Sequence, residues 1–266
     1  MPAWGSPVSD PPLLRVDLPG ARVAFTTRAG GVSAPPYDSL NLGLHVGDDP
    51  AAVVENRRRA AAALGATLDD LAVAEQVHGD RVATVGAGER GRGARSVADA
   101  IPATDALICA EPGVVVAIMV ADCVPVAVVD PQAGALGVAH AGWGGTVAHV
   151  AGRTVAALAD RLGAEPARMH AVLGPSIGPD SYEVGEDVAD RAAAAFPDVE
   201  VVRPGARPGK YLLDLWAANA ADLAAAGVPA ANVTVVGADT LADDRFFSHR
   251  RSAPTGRFAV LATLAA

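Results

Sequence analysis

Short apolar runs bounded by Gly, Pro and Asp recur along the chain, and they are densest between residues 105 and 139. Turn residues such as Glu111-Pro112-Gly113 and Asp130-Pro131 separate the runs there. Runs of this length between turn residues predict buried strands, so we place the centre of a sheet in this region. The predicted strands cover residues 23–27, 71–77, 81–85, 105–110, 114–120, 124–129, 135–139, 169–173, 233–236, 246–248 and 258–264.

Segments with helix start and stop signals separate these runs. Asp49 before Pro50 is an N-cap followed by proline at the first helical position, and Gly163 ends a segment whose apolar positions follow a helical period. The predicted helices cover residues 50–64, 144–162, 186–196 and 213–226. Strands that alternate with helices favour an α/β fold.

The length of 266 residues is enough for one sizeable core, and α/β architectures of this size often form a single domain. No extended linker or internal repeat divides the chain. We expect residues 1–20 to be a flexible N-terminal segment and residues 21–266 to form a single catalytic domain.

Charge and composition exclude several classes of partner. The formal net charge is −9, and no basic cluster is larger than Arg57-Arg58-Arg59, which argues against a nucleic-acid footprint. The most apolar run, Val114 to Val129, contains Asp122 and Pro125 and is shorter than the roughly 18 residues of a membrane span. We therefore expect neither a nucleic-acid nor a membrane partner.

Two cysteines are too few for a disulfide framework, and the first twelve residues lack the features of a targeting segment. These observations predict a cytoplasmic protein.

Candidate chemistry lies at the ends of two successive apolar runs. Cys123 follows Val120-Ala121-Asp122, and His140 follows Val138-Ala139. Parallel strands that end together place their last residues in one crevice, the usual place for ligands in an open α/β sheet. If the two strands run side by side, the thiol and the imidazole are neighbours.

His78, in Gln76-Val77-His78-Gly79, is a third candidate. It precedes Cys123 by 45 positions, and Cys123 precedes His140 by 17, which excludes the close ligand pairs of a local zinc finger. Two imidazoles and one thiolate suit a zinc site that keeps a fourth position open. The remaining candidates are interpreted as core, structural or surface residues: Cys109, His45, His149, His170 and His249.

Several ordered motifs resemble one family. They are Glu75-Gln76-Val77-His78-Gly79, Ala121-Asp122-Cys123, His140-Ala141-Gly142-Trp143, Gly174-Pro175-Ser176-Ile177-Gly178 with Tyr182-Glu183-Val184-Gly185, and Phe246-Phe247-Ser248 with Arg250-Arg251 and Thr255-Gly256-Arg257. Together they resemble the multicopper-polyphenol-oxidase-named family, which includes bacterial purine nucleoside phosphorylases of the YfiH and laccase-domain-containing type. The resemblance extends from about Phe25 to the C-terminus.

The resemblance implies an α/β (α+β) fold, a single-domain layered α/β sandwich with mixed sheets. It also implies zinc held by His78, Cys123 and His140. The implied reactions are phosphorolysis of adenosine, inosine and 5′-methylthioadenosine and deamination of adenosine at the same site, in a monomer or homodimer. Members of the family have also been tied to peptidoglycan editing.

Each reaction has requirements that particular residues could meet. Deamination needs a proton shuttle, for which Asp122 and Glu183 are candidates, although Asp122 could instead orient a metal ligand. Phosphorolysis needs an anion site, and the predicted helix start at Gly144-Gly145 offers backbone N–H groups. Three arginines could add bidentate contacts, and one asparagine could reach the site: Arg57, Arg250, Arg251 and Asn41.

Three other functions remain open. Copper oxidation is less favoured than zinc chemistry, because six histidines with no His-x-His pair are too few for coupled copper centres. Cys123 activated by His140 could be the nucleophile of a hydrolase. The protein could also bind a cell-wall precursor without turnover.

Overall fold

A computed structural model describes residues 11–265, and its strands form three sheets. The first sheet has five strands in the order β1-β2-β14-β6-β3. Its strands are β1 (Leu13–Leu18), β2 (Ala21–Thr26), β3 (Leu71–Val73), β6 (Val115–Val120) and β14 (Phe258–Leu264). Only the β3–β6 pair is parallel, so this sheet is mixed.

The second sheet has six strands in the order β13-β9-β7-β8-β5-β4. Its strands are β4 (Val82–Thr84), β5 (Ala106–Cys109), β7 (Val124–Asp130), β8 (Ala135–Ala141), β9 (His170–Leu173) and β13 (Val233–Val235). It is also mixed, because its two edge pairs are parallel and its central pairs antiparallel. A small antiparallel sheet contains β10 (Glu183–Gly185), β11 (Val202–Pro204) and β12 (Lys210–Leu213).

Five α-helices connect or cover the sheets in the described part of the chain. They are α1 (Pro50–Ala63), α2 (Trp143–Val147), α3 (Val150–Leu162), α4 (Glu186–Ala195) and α5 (Leu215–Ala225). The Asp49 side chain caps α1 by accepting a hydrogen bond from the Ala51 N–H at 2.9 Å. None of the helices between residues 11 and 265 has the length and apolar character needed to cross a bilayer.

The two large sheets pack face to face, and helices cover their outer faces. Phe25, Ile118 and Val138 belong to the core between the sheets. Helix α1 packs on the outer face of the first sheet, and α3, α4 and α5 pack on the outer face of the second. This arrangement confirms the predicted layered sandwich with mixed sheets.

Strand β6 shows why the central runs are almost continuously apolar. Val116, Ile118 and Val120 point into the core between the sheets, whereas Val115 and Ala117 point toward α1. Both faces of the strand are buried, so the alternation of polar and apolar residues that marks a half-buried strand is absent.

The structure corrects several predicted elements. Residues 13–18 of the segment expected to be flexible form β1, and residues 1–10 lie outside the described residues. The predicted strand over residues 246–248 is a loop, and the predicted helix over residues 144–162 is broken at His149, whose φ is 60°. The small sheet of β10, β11 and β12 was not predicted, because its strands are only three or four residues long.

Candidate metal centre and adjoining cavities

Antiparallel pairing brings Cys123 beside His140. Cys123 lies in the turn through which the chain passes from β6 in the first sheet to β7 in the second. Strands β7 and β8 are antiparallel, and Pro125 pairs with His140. The two side chains are therefore close because the start of one strand lies beside the end of the next. The expectation of two parallel strands that end together was wrong.

His78 comes from the loop between β3 and β4 and completes the group. One ligand atom from each of His78, Cys123 and His140 lies within 4.8 Å of the others. His78 has a left-handed backbone with φ of 61°, a conformation that is uncommon outside glycine and is often found at functional sites.

The buried carboxylate of Asp105 orients two of these three residues. Its Oδ1 atom contacts His140 Nδ1 at 2.8 Å and accepts the His78 N–H at 2.9 Å. Its Oδ2 atom accepts the N–H groups of Val77 at 3.2 Å and Gly79 at 2.7 Å. Because the carboxylate accepts, the His140 Nδ1 carries a proton and Nε2 is left free for a metal.

Asp105 is a candidate site residue that was not predicted from the sequence. Burial raises the pKa of its carboxyl group, but hydrogen bonds from His140 and Gly79 outweigh burial and lower that pKa below the ordinary value. An aspartate directly before an apolar strand was the only signal in the sequence, and we interpreted it as the start of that strand.

The thiol and the imidazole of the pair favour their charged forms. Burial raises the pKa of Cys123, but attraction to His140 and His78 outweighs burial and lowers it. Burial lowers the pKa of His140, but Cys123 and Asp105 outweigh burial and raise it. A thiolate is the form that binds a metal ion and also the form that acts as a nucleophile.

Gly142 allows the close approach of these side chains. A Cβ atom at this position would lie 2.9 Å from Cys123 Sγ and 3.3 Å from the His78 ring. Any other residue would therefore push the sulfur or the ring out of place.

The three side chains line a cavity of about 380 Å³, which we call the metal cavity. Small-molecule sites have volumes of roughly 300–1,000 Å³, so this cavity has the size of such a site. The other walls carry two arginines, two aromatic residues and two further histidines: Arg250, Arg257, Trp143, Tyr182, His45 and His249. The site is thus a cationic, partly aromatic cavity beside the thiolate and imidazole ligands.

Protein contacts hold both arginines of this cavity in place. Arg250 donates from Nη1 to the Glu183 carbonyl at 2.7 Å, and its guanidinium lies 5.1 Å from the centre of the Tyr182 ring. Burial raises the pKa of Tyr182 to about 12, so its hydroxyl stays neutral. Arg257 donates from Nη1 to two backbone carbonyls, each at 3.0 Å.

Asp122 lines the cavity, but its carboxylate is already bonded. Oδ1 accepts from the Thr240 hydroxyl at 2.6 Å, and Oδ2 accepts from the Arg250 N–H at 2.6 Å. The residue has a left-handed backbone with φ of 87°. These contacts tie the loop that carries His249 and Arg250 to the residue before Cys123. They favour a positioning role for Asp122, the alternative that the sequence also offered, and the role of proton shuttle stays a prediction.

Two other predicted site residues lie outside the metal cavity. The Glu183 carboxylate is paired with Arg207, and only the Glu183 backbone carbonyl reaches Arg250. Arg251 donates its guanidinium N–H groups to four backbone carbonyls, those of Thr240, Leu241, Asp243 and Phe246. In this structure both side chains hold loops, and their expected roles in proton transfer and phosphate binding stay predictions that these contacts do not favour.

Asn41, Gly144 and Gly145 also hold backbone segments and do not line the cavity. The buried Asn41 side chain accepts the Arg257 N–H at 2.8 Å and donates to Asp48. Added Cβ atoms at Gly144 and Gly145 would lie 3.3 Å from the His78 carbonyl oxygen and 3.1 Å from that of Gly79. These glycines therefore let the short helix α2 pack close to the His78 loop, and their expected role in phosphate binding stays a prediction.

The last predicted residue, Arg57, lies in a second cavity next to the first. This side cavity has a volume of about 220 Å³ and shares His45, Gln76 and Met119 with the metal cavity. His45 stands at the junction, where burial, then Arg257 and Arg57, lower the pKa of its imidazole to about 4. The sequence analysis missed His45 and Arg257, although Arg257 belongs to one of the motifs that carry the resemblance.

Comparison with known proteins links this geometry to named relatives. The family model described as multi-copper polyphenol oxidoreductase laccase matches residues 22–265. A Geobacillus stearothermophilus protein named purine nucleoside phosphorylase YlmD is 43% identical over 241 residues, which cover 90% of this chain and 88% of that protein. A Deinococcus radiodurans protein named purine nucleoside phosphorylase is 47% identical over 247 residues, which cover 92% of this chain and 90% of that protein.

Solved structures share the same fold. The crystal structure of YlmD from Geobacillus stearothermophilus matches with a TM-score of 0.89 and 41% identity, covering 93% of each chain. The crystal structure of the Bacillus licheniformis hypothetical protein YfiH matches with a TM-score of 0.88 and 37% identity, covering 92% of this chain and 93% of that one. These likenesses confirm the fold and the resemblance predicted from the ordered motifs.

Proposed function

This chain belongs to the multi-copper polyphenol oxidoreductase laccase family, and on that premise we propose that it is a zinc-dependent purine nucleoside phosphorylase. Relatives at 43% and 47% identity carry the name purine nucleoside phosphorylase, which supports the reaction class. The observation that carries the proposal is the grouping of His78, Cys123 and His140 at the wall of a cationic cavity, with Asp105 behind them.

The donor set fits zinc. One thiolate and two imidazoles are ligands that zinc prefers, and three protein ligands leave a position open for substrate. A copper centre for oxidase chemistry would need a larger set of histidines, and no further histidine joins this group among residues 11–265. When bound, zinc would act as a Lewis acid that polarises a substrate atom and lowers the pKa of nearby water.

Phosphorolysis would use the cationic walls of the cavity. In this reaction an oxygen of phosphate forms a bond to the sugar carbon C1′, the bond from C1′ to the purine nitrogen breaks, and the purine leaves with the electron pair and gains a proton. Arg250 and Arg257 would attract phosphate toward the reacting carbon and stabilise the negative charge that develops as the glycosidic bond breaks. The rings of Trp143 and Tyr182 offer apolar surface for the purine.

The proposed substrates are adenosine, inosine and 5′-methylthioadenosine, with deamination of adenosine at the same site. Deamination replaces the amino group of the purine by the oxygen of water, so it does not consume phosphate. The two reactions can therefore be separated by omitting phosphate from the assay.

Product analysis tests this proposal. The purified protein is incubated with each nucleoside, with and without phosphate, and the products are separated by liquid chromatography alongside elemental analysis of the protein. Only when phosphate is present, we expect free base together with ribose 1-phosphate, or with 5-methylthioribose 1-phosphate from 5′-methylthioadenosine. We also expect inosine from adenosine without phosphate, and about one zinc per chain. Intact nucleosides under both conditions would refute the proposal and favour a binding protein, for example one for a cell-wall precursor.

Substitution of the ligands provides the matched comparison. Cys123→Ala and His140→Ala are each expected to lose bound zinc and turnover, whereas Cys109→Ala should keep both because Cys109 is a buried residue of the core between the sheets. Unchanged zinc content in Cys123→Ala or His140→Ala would count against the site.

A cysteine nucleophile is the second candidate, because the pKa directions of Cys123 and His140 also suit covalent catalysis. Iodoacetamide distinguishes the two functions. A zinc-bound thiolate should be protected from alkylation and become reactive after chelation, whereas a nucleophile should be alkylated in the zinc-loaded protein.

A further inference from the structure

The side cavity contains a buried cation. Its walls are mainly apolar and include Leu44, Val73, Val97, Ala100 and Met119. Arg57 also lines this space, and its side chain is almost fully buried, with the residue only 4% exposed. Burial lowers the pKa of Arg57 to about 10, so the side chain is still charged at neutral pH.

Backbone carbonyls hold Arg57 but do not neutralise it. Nε donates to the Leu42 carbonyl at 2.8 Å, and Nη1 donates to the carbonyls of Gly93 and Ala94. Nη2 makes no hydrogen bond to the described residues and is not fully buried. Between residues 11 and 265, no carboxylate forms an ion pair with Arg57.

Two acidic side chains lie near Arg57, and each accepts a hydrogen bond from a backbone N–H group. Asp99 attracts Arg57 from a distance, and its Oδ1 atom accepts the Gly93 N–H at 3.2 Å. Glu75 lines the cavity, and its Oε2 atom accepts the Ala103 N–H at 3.2 Å. Buried charges in proteins are normally paired with an opposite charge. Because Arg57 lines a cavity without an ion pair among the described residues, we interpret this cavity as a site for an anion.

We propose that the side cavity is the subsite for inorganic phosphate, the second substrate, and that Arg57 Nη2 binds it there. This assignment rests on the proposed phosphorolysis for the role of the anion. The place where the two cavities meet supports this assignment, because His45 lines both of them. The positive charges of Arg57 and Arg257 both lower the pKa of the His45 imidazole, so both guanidinium groups lie near this place. Phosphate at this junction would lie beside a nucleoside in the metal cavity.

Val97 gives a test that leaves Arg57 and its carbonyl contacts intact. Val97 is 42% exposed at the wall of the side cavity, so a polar residue should be tolerated there. Val97→Asp would add a negative charge that competes with phosphate for Arg57. Val97→Asn is the matched neutral control, and Val199→Asp adds the same charge at a valine that lines neither cavity.

Two measurements are made on the zinc-loaded protein. The first is binding of inorganic phosphate without nucleoside, followed by phosphorus-31 NMR line broadening. The second is the phosphate KM in phosphorolysis of inosine. Like charges placed close together cost several kcal/mol, so Val97→Asp should weaken phosphate binding and raise the phosphate KM about tenfold or more. Val97→Asn and Val199→Asp should change both by less than about twofold.

The outcomes separate this inference from the proposed function. Normal phosphate KM and binding in Val97→Asp, with phosphorolysis intact, would overturn the phosphate subsite and leave the proposed function standing. A raised nucleoside KM with an unchanged phosphate KM would likewise overturn it and assign the cavity to part of the nucleoside. The protein could also bind phosphate, lose that binding in Val97→Asp, and cleave no nucleoside. That result would support the anion site and refute the phosphorylase function.

Discussion

Replacement of Asp105 by asparagine tests whether this carboxylate prepares the metal site. The carboxylate accepts from two groups on each oxygen: His140 Nδ1 and the His78 N–H on Oδ1, and the Val77 and Gly79 N–H groups on Oδ2. The asparagine side chain would place one oxygen and one NH₂ group in the same space. Whichever way the amide turns, two of the four donors lose their acceptor.

The size of the effect follows from these contacts. A hydrogen bond to a charged group contributes about 1.5–3 kcal/mol, so losing two lowers the free energy of unfolding of the metal-free protein by about 3–6 kcal/mol. If the NH₂ group faces His140, the imidazole takes the other tautomer and directs a proton at the metal position. Loss of such an outer partner typically weakens metal binding about 10- to 100-fold.

Zinc affinity is measured by competition with a chromophoric chelator, and stability is measured by urea denaturation of the metal-free protein. Asp160→Asn removes an exposed carboxylate on α3 and serves as the control, with changes in both quantities near zero expected. Zinc affinity within about twofold of wild type in Asp105→Asn would refute the view that the carboxylate sets the tautomer and orientation of His140.

Three further changes test other contacts. Gly142→Ala should weaken zinc binding, measured by chelator competition, about tenfold or more, because the new Cβ would lie 2.9 Å from Cys123 Sγ. Gly88→Ala is the control, because its new Cβ has nothing within 4 Å, and it should leave the zinc affinity unchanged. Arg251→Met should lower the free energy of unfolding by about 2–4 kcal/mol through loss of its carbonyl contacts. Arg58→Met on the exposed face of α1 should lower it by less than about 1 kcal/mol, and equal losses in urea denaturation would contradict the role assigned to Arg251. Asp130→Asn should destabilise the protein by about 2 kcal/mol near neutral pH. Burial raises the pKa of Asp130, but Arg168 and backbone N–H groups outweigh burial and lower this pKa from 3.8 to about 2. This contribution is present above the pKa of the unfolded state and disappears as pH falls toward 2. The difference in free energy of unfolding between wild type and variant should therefore shrink between pH 5 and pH 2. A constant difference would contradict this account.

The three candidate metal ligands could be anticipated from the sequence, but the reason for their proximity could not. Residue types and the family resemblance pointed to His78, Cys123 and His140, which the structure brings together. The run from Val114 to Val129 reads as two similar buried strands, although β6 and β7 belong to different sheets. Both strands are apolar on both faces, so nothing in their periodicity marks the change of sheet.

The long-range contacts that give these residues their surroundings could not be predicted from the sequence. Asp105 and His140 are 35 positions apart, and Asn41 contacts Arg257 across 216 positions. Whether a polar residue faces a ligand or a backbone group depends on such pairings. For this reason Glu183 and Arg251 were expected to act on substrate, whereas their charged groups are bound to Arg207 and to carbonyls.

The turn at Asp122 and Cys123 has a mechanical consequence for the whole sandwich. This turn carries the chain from one large sheet to the other, while His140 belongs to the second sheet and His78 to a loop that leaves the first. An ion bound by all three residues would cross-link the two sheets at one end. Sliding of one sheet over the other would then require breaking a coordination bond, so loading with zinc should slow amide exchange in β6, β7 and β8 well beyond the residues that touch the ion.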